Sequence, residues 1–208
     1  MRALITGAGR GIGAALMAEG RGRGHEVLGT VRSGDGIQLE VTDPAAQARA
    51  AGAVGAIDLL VCNAGVLLDR DAGVRDLSVE DLRQTLDVNV TGVFLTVQAQ
   101  LANLSRGGRI AIISSQMGSS TQATGRTMAY RVSKAAALNL GLNLASALRS
   151  EGIAVGIYHP GWVRTDMGGS AAAVGAEDAA RGLWDRFERL DQSTSGCFET
   201  FDGQTHPI

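Results

Sequence analysis

Short apolar runs alternate with stretches of helical period from one end of the 208-residue chain to the other. Residues 2–6 (RALIT), 26–31 (EVLGTV), 37–41 (IQLEV), 57–65 (IDLLVCNAG), 108–115 (GRIAIISS), 153–161 (IAVGIYHPG) and 196–201 (GCFETF) read as strands. They are largely apolar rather than alternating, the pattern of strands covered on both faces. Helices are expected at 11–24, 44–54, 78–104, 128–149 and 176–190. Pro44 is a good first-turn residue, and Ser78 followed by Glu80–Asp81 marks a helix start. Strands alternating with helices predict right-handed βαβ units, hence an α/β fold with a parallel sheet between two helical layers. With no composition break, linker or repeat, one domain over 1–208 is the economical reading. Only five residues, RSGDG (32–36), separate the second and third strands. A parallel crossover usually takes at least about 10 residues, so the crossover helix is expected to be reduced to a loop there.

Bulk composition narrows the class without naming a function. Hydrophobic content of 45% and charged content of 19% fit a globular chain of one-domain size. A net charge of −2 argues against nucleic acid or an anionic membrane as partner. No run of about 18 apolar residues exists to cross a bilayer. The start, MRALITGAGRG, runs at once into a strand-like segment instead of a signal peptide, so a cytoplasmic protein is expected. Cys62 and Cys197 have no metal or redox spacing, and His25, His159 and His206 lack the spacing of a zinc motif. Glycine is abundant, at 29 residues, and aromatics make up only 4%, a mixture suited to tight turns and close helix–strand packing.

The first strand leads into TGAGRGIG (6–13) and then into the first helix. Gly7, Gly11 and Gly13 suit a tight turn, close approach to a pyrophosphate and helix–strand packing, and the helix beginning at Gly11–Ile12 offers free N–H groups to phosphates. A site selective for NAD would show an acidic residue near the end of the second strand. That place reads GTVRSG (29–34), and Arg32, helped by Arg10, suits a 2′-phosphate instead. NADP(H) is therefore the preferred cofactor, with Asp35 as the carboxylate that a small shift of the strand end would bring into play.

Lysine occurs once, at 134, against eighteen arginines, and Tyr130 stands four residues before it in AYRVSKAAALN (129–139). Both cations solvate a helix surface equally well, so a lone lysine raises the question of a chemical need for an ammonium. A four-residue spacing puts both side chains on one face of a helix.

With the glycine turn, CNAG (62–65), NVTG (89–92), ISS (113–115) and YRVSK (130–134) in this order, the sequence resembles the short-chain dehydrogenase/reductase family over nearly its whole length. Its compact size, PGWVRTDMGG (160–169) and its C-terminal SGCFETFDGQTHPI look most like the small C-factor and sniffer-like carbonyl reductases. The resemblance implies a doubly wound Rossmann fold with a mostly parallel seven-stranded sheet ordered 3-2-1-4-5-6-7. It implies that Asn63, Ala64 and Gly65 form the turn beside the adenine ribose. It also implies that Pro160, Gly161, Val163 and Thr165 embrace the nicotinamide carboxamide. Where the family usually has Asp, this chain has Glu40, and Glu40 or the Val41 backbone is left to meet the adenine amino group.

The family's catalytic residues map onto Asn89, Ser115, Tyr130 and Lys134. Moving a hydride to a carbonyl carbon leaves an alkoxide to be protonated, and a phenol with an ordinary pKa near 10 is a weak acid for that task near neutrality. An ammonium about 4 Å away, at an effective dielectric near 20, favours tyrosinate by roughly 4 kcal/mol, about three pKa units, less what burial takes back. Lys134 would also hold the nicotinamide ribose, Ser115 the substrate oxygen, and Asn89 a water linking Lys134 to solvent. Ser114 and Ser115 compete for one role, and Gly118, three residues on, favours Ser115. Trp162 and Met167 are candidates for the substrate pocket.

Two functions are expected from these residues. The leading one is an NADP(H)-dependent carbonyl reductase or alcohol dehydrogenase for a small ketone or aldehyde, with an open pocket because DMGGSAAAVGAED leaves little room for a lid. The competing one is a cofactor-binding sensor or signalling protein with little turnover. Apolar surface on 78–104 and 128–149 exceeds what one sheet face covers, and the family uses that helix pair to dimerise, so a homodimer is expected.

Overall fold

The seven runs pair side by side because only neighbouring strands can satisfy their backbone N–H and C=O groups, and the central ones (Arg2–Ile5, Ile57–Cys62, Leu104–Ile113 and Ala154–His159) are mostly buried. A computed structural model describes residues 1–208. The strands are β1 (Arg2–Ile5), β2 (Glu26–Val31), β3 (Ile37–Gln38), β4 (Ile57–Cys62), β5 (Leu104–Ile113), β6 (Ala154–His159) and β7 (Phe198–Thr200). They form one sheet in the order β3-β2-β1-β4-β5-β6-β7, with every neighbouring pair parallel. The helices are α1 (Gly11–Gly22), α2 (Pro44–Val54), α3 (Val79–Leu86), α4 (Gly92–Gln100), α5 (Met128–Ala147) and α6 (Ala176–Arg189).

The two-residue period of a strand divides the core between the faces. Ile5, Val61 and Ile113 point to one side, where they meet Leu16 of α1 and Leu183, Trp184 and Phe187 of α6. Leu4, Leu60 and Ile112 point to the other, against Val97 of α4 and Leu148 just beyond α5. Close packing of α1 on α6 depends on Gly20, since a Cβ there would overlap the Trp184 ring. The indole N–H of that ring is satisfied by the Leu16 carbonyl at 2.9 Å.

The β2–β3 connection is a loop, as its five residues predict, and the register supplies the reason. Ile37 pairs with Thr30 and Gln38 with Val31, so β3 joins β2 at its last two residues. The chain never returns to the start of β2 and needs no helix to span that distance. β3 is correspondingly shorter than the 37–41 expected.

The helix expected over 78–104 is a composite. α3 passes into a π turn at Asp87–Thr91, then α4, then a 3₁₀ turn at Leu101–Asn103 that delivers Leu104 directly to β5. The wider π turn carries Asn89, which is buried and whose side chain bonds outside the helix. Interruptions of this kind leave the apolar period almost unchanged, so the sequence reads as one helix. α5 ends at Ala147, two residues short of expectation, and a 3₁₀ turn at Arg149–Glu151 follows it.

Candidate active site

Parallel strands deliver their C-terminal ends to one edge of the sheet, and a crevice opens where the strand order reverses between β1 and β4. A cavity of about 730 Å³ lies there. The glycine turn floors it. Gly7 has φ 66°, and a Cβ on it would sit 2.9 Å from the Ala64 backbone; a Cβ on Gly13 would overlap the Gly7 carbonyl. Asn63 ties the two turns together, its side-chain amide donating to the carbonyls of Thr6 at 3.0 Å and Gly7 at 3.2 Å. The Thr6 hydroxyl accepts from the N–H groups of Asn63 and Ala64, both at 3.1 Å. These side chains lock a backbone cradle open, which is what a pyrophosphate at a helix N-terminus requires.

At one end of the cavity stand Arg10, Arg32, Glu40 and Val41. Arg32 is exposed there, while Arg10 reaches across the mouth to Asp166 in an ion pair of 2.8 Å. Glu40 accepts from the Thr42 hydroxyl at 3.1 Å. Asp35 faces a separate hollow with Met17 and Ile37, behind β2. The carboxylate that would favour a free ribose hydroxyl at the end of β2 is thus turned away from the cavity.

At the other end stand Tyr130 and Lys134, one helical turn apart on α5 and both buried. Lys134 Nζ lies 5.5 Å from the centre of the Tyr130 ring and donates to the Ile113 carbonyl at 2.9 Å. Burial pulls the Lys134 ammonium down to about 8. Burial also pushes the Tyr130 phenol up to about 12, opposed by its interaction with the Ser115 hydroxyl. The expectation that Lys134 depresses the phenol is therefore not met in this structure. The ammonium gives one of its three donors to a carbonyl, and desolvation is the main influence on the phenol. At neutral pH the pair is a protonated phenol beside an ammonium.

The two serines separate cleanly. Ser114 donates its hydroxyl to the Lys134 carbonyl at 2.9 Å, which uses it to seat α5. Ser115 accepts from Met117 N–H at 3.1 Å and interacts with the Tyr130 phenol, although Ser114 and not Ser115 lines the cavity. Gly118 lets this loop touch α5, because a Cβ there would come within 2.7 Å of the Lys134 backbone.

Asn89 sits behind the cavity wall. Its amide donates to the Val66 carbonyl and to Ser133 Oγ, both at 2.9 Å, and its oxygen accepts from Val66 N–H at 2.8 Å. With both amide protons spent, the side chain acts as a strut between the 63–66 turn and α5. Its amide oxygen keeps one lone pair free. Gly161 and Val163 also stand back from the cavity, which Pro160 and Thr165 line. Val163 is buried and bridges to Val174, and a Cβ on Gly161 would press on Val174 and Phe201.

Several contributors were not legible beforehand. Glu80, Arg83 and Gln84 of α3 join the cavity wall, and Asp69 and Ser133 hold the backbone of Tyr130. Ser133 donates to the Tyr130 carbonyl at 2.7 Å. Met167 lines the cavity, whereas Trp162, 53% exposed, has its indole N–H held by the Gly168 carbonyl at 2.8 Å. His159 is buried with Nδ1 unpartnered, and burial with the nearby His206 pulls it down to about 4. No group of three His, Cys, Asp or Glu side chains is placed to hold a metal. No helix is long and apolar enough to cross a membrane.

Comparison with known proteins agrees with this geometry. The family model described as short chain dehydrogenase matches residues 1–174. C-signal of Myxococcus xanthus is 37% identical over 157 residues, covering 74% of this chain and 93% of that protein. The structure of an NADPH-bound carbonyl reductase from chicken fatty liver superposes with a TM-score of 0.92 at 28% identity, covering 100% of this chain and 98% of that one. Carbonyl reductase Sniffer of D. melanogaster shares the fold at a TM-score of 0.94 and 23% identity, covering 100% and 99%. The chain belongs to the short-chain dehydrogenase/reductase family, oxidoreductases that act on CH–OH groups with NAD(P).

Proposed function

We propose that this protein is an NADPH-preferring carbonyl reductase in which Tyr130 is the general acid. The observation that supports the reading most is that the protonated Tyr130 phenol, the Lys134 ammonium and the glycine turn face one cavity. The residues present fit a dinucleotide: Gly7, Gly11 and Gly13 for the pyrophosphate, Arg32 for a 2′-phosphate, Pro160 and Thr165 at the nicotinamide end. When bound, the reduced cofactor supplies a hydride to the carbonyl carbon.

Everything else falls to side chains of this chain. Ser115 donates a hydrogen bond to the substrate oxygen as negative charge develops there. Tyr130 Oη gives that oxygen its proton, so the carbonyl gains one hydride and one proton and leaves as an alcohol. The tyrosinate left behind is stabilised by the Lys134 ammonium and is reprotonated from solvent. A phenol pushed up to about 12 carries its proton at neutral pH, the form a general acid needs.

Cofactor preference rests on Arg32 in the cavity and on Asp35 facing away from it. With Arg10 bound to Asp166, Arg32 is the free cation for a 2′-phosphate. The expected result is faster oxidation of NADPH than of NADH, by about tenfold or more, with a panel of ketones and aldehydes. Tight NADPH binding with no oxidation by any of them would favour the second reading, a cofactor-binding signalling protein. Similarity to a protein named C-signal motivates that alternative.

The 208 residues are read as one catalytic unit acting as a homodimer in the cytoplasm. Phe94 of α4 and Val132 of α5, 44% and 52% exposed, sit on the helices expected to form the dimer. Light scattering on the eluted protein tests this, and a stable monomer would reject it. Two free cysteines, Cys62 and Cys197, suit a reducing compartment.

A further inference from the structure

The helix that carries Tyr130 and Lys134 begins without a cap of its own. Thr127 stands at its N-cap in the left-handed region, φ 53°, with no side-chain bond into the helix. Its hydroxyl accepts instead from Asp71 N–H at 3.3 Å, and its own N–H donates to the Ala72 carbonyl at 2.9 Å. First-turn N–H groups lack intrahelical partners and need acceptors when they are buried. Asp69, 60 residues upstream, supplies them. Its Oδ2 accepts from Ala129 N–H at 2.6 Å and its Oδ1 from Tyr130 N–H at 3.2 Å.

Asp69 is 2% exposed. A buried carboxylate is costly, whereas a serine or asparagine at the N-cap position would satisfy the same donors locally. The difference lies in what the remote cap connects. Asp69 follows the 63–66 turn by three residues, and Asn89 pins Val66 of that turn by both its N–H and its carbonyl. Ser133 grips the Tyr130 carbonyl and accepts from the same Asn89. The main chain of Tyr130 is thus tied at both ends to the turn beside the cofactor crevice. A local cap would stabilise α5 equally and leave its depth against that turn unset.

We propose that Asp69 is a positioning residue for the reaction: it fixes how far Tyr130 stands from the cofactor turn. The inference rests on the reading of Tyr130 as proton donor. Misplacement of a reacting group by about 1 Å can cost about a hundredfold in rate, so the carboxylate that sets this depth acts on kcat.

Asp69→Asn tests it, because an amide keeps the shape but turns an NH₂ toward one of the two N–H donors. The expected outcome is a fall in kcat of at least about tenfold, with KM and the NADPH dissociation constant held within about twofold. Asp43→Ala serves as control. It removes a local cap from α2, where Asp43 accepts from Ala45 N–H at 2.8 Å, and should lower Tm without lowering kcat. A second readout needs no turnover. The chain has two tyrosines, Tyr130 and Tyr158, so ring-carbon-labelled tyrosine gives two NMR signals. Asp69→Asn should move the Tyr130 signal and leave that of Tyr158. Wild-type kcat together with an unmoved Tyr130 signal would overturn the proposal, as would equal displacement of both signals. If Asp69→Asn does not fold, Asp69→Glu keeps charge and acceptors but displaces them, and full activity in that variant also overturns it. A wild-type protein inert toward every carbonyl would defeat the reading of Tyr130 as acid, while the two signals would still decide whether Asp69 sets its position.

Discussion

The glycine turn and the start of α5 face each other across the same crevice, and they are built in opposite ways. Between β1 and α1, the turn needs particular residues within one short stretch, Gly7 in the left-handed region and Gly13 against the Gly7 carbonyl, and Asn63 then ties it to the end of β4. At α5 the first turn is held by Asp69, and Ser115 arrives on a loop that Gly118 seats against Lys134. On the cofactor side the glycines leave a local signature even though Asn63 braces the turn from the end of β4, whereas the start of α5 relies on a remote acceptor alone. Local demands on φ and on close approach leave a mark in the residue string, whereas a remote acceptor leaves none.

The largest test of that contrast removes the chemistry and keeps the framework. Tyr130→Phe should lower kcat by about a thousandfold while NADPH binding is retained, measured by steady-state kinetics and by fluorescence titration. Wild-type kcat in that variant would remove Tyr130 from the reaction.

Lys134→Arg comes next, with a loss of about a hundredfold in spite of conserved charge, because a planar guanidinium cannot take the place of the ammonium beside Ile113 O. The pH profile separates charge from shape. Lys134 loses its proton as pH rises through about 8, whereas the Tyr130 phenol keeps its proton until about 12. Reductase activity should therefore fall above pH 8 in the wild type, through loss of the ammonium. The residual activity of Lys134→Arg should lack that limb. An alkaline limb at the same pH in the arginine variant would assign it to another group.

On the local side, Gly13→Ala should weaken NADPH binding by about tenfold and lower stability by about 1–3 kcal/mol, since the new Cβ would overlap the Gly7 carbonyl. Calorimetric binding and a thermal melt measure both, and kcat at saturating cofactor should change least. A variant that loses kcat but not affinity would show that the two sides of the crevice are not separable. The smallest effect is expected of Asp166→Ala. Both members of the Arg10–Asp166 pair are exposed, and such pairs contribute about 0–1 kcal/mol. Freeing Arg10 should tighten NADPH binding by less than about fivefold and leave NADH binding unchanged.

Much of this was visible in the residues, for reasons that differ by element. The strands were legible because burial on both faces demands near-continuous apolar runs, and their order followed once the family motifs were aligned along the chain. α2 was read to its exact ends, Pro44 to Val54, because Pro44 opens it after a local Asp43 cap. The 78–104 segment was misread as one helix, since a π turn costs the apolar period only a small slip. Ser115 was preferred to Ser114 by the placement of a glycine; in the structure Ser114 bonds the Lys134 carbonyl and lines the cavity, while Ser115 interacts with the Tyr130 phenol. The bonds from Asn89 to Val66 and Ser133 were not legible, because they join segments distant in sequence.

The sequence by itself determined the sheet and its helices, the glycine cradle, the tyrosine and the lysine one turn apart, and with them the class of chemistry. Those features depend on backbone conformation and on spacing within a single element, which nearby residues control. Tertiary structure alone decided that Arg10 meets Asp166, that Asp35 lines a separate hollow, that burial pushes the Tyr130 phenol upward, and that Asp69 caps α5. Each of these depends on which segments desolvate or touch one another, and that is settled only when the sheet closes the chain upon itself.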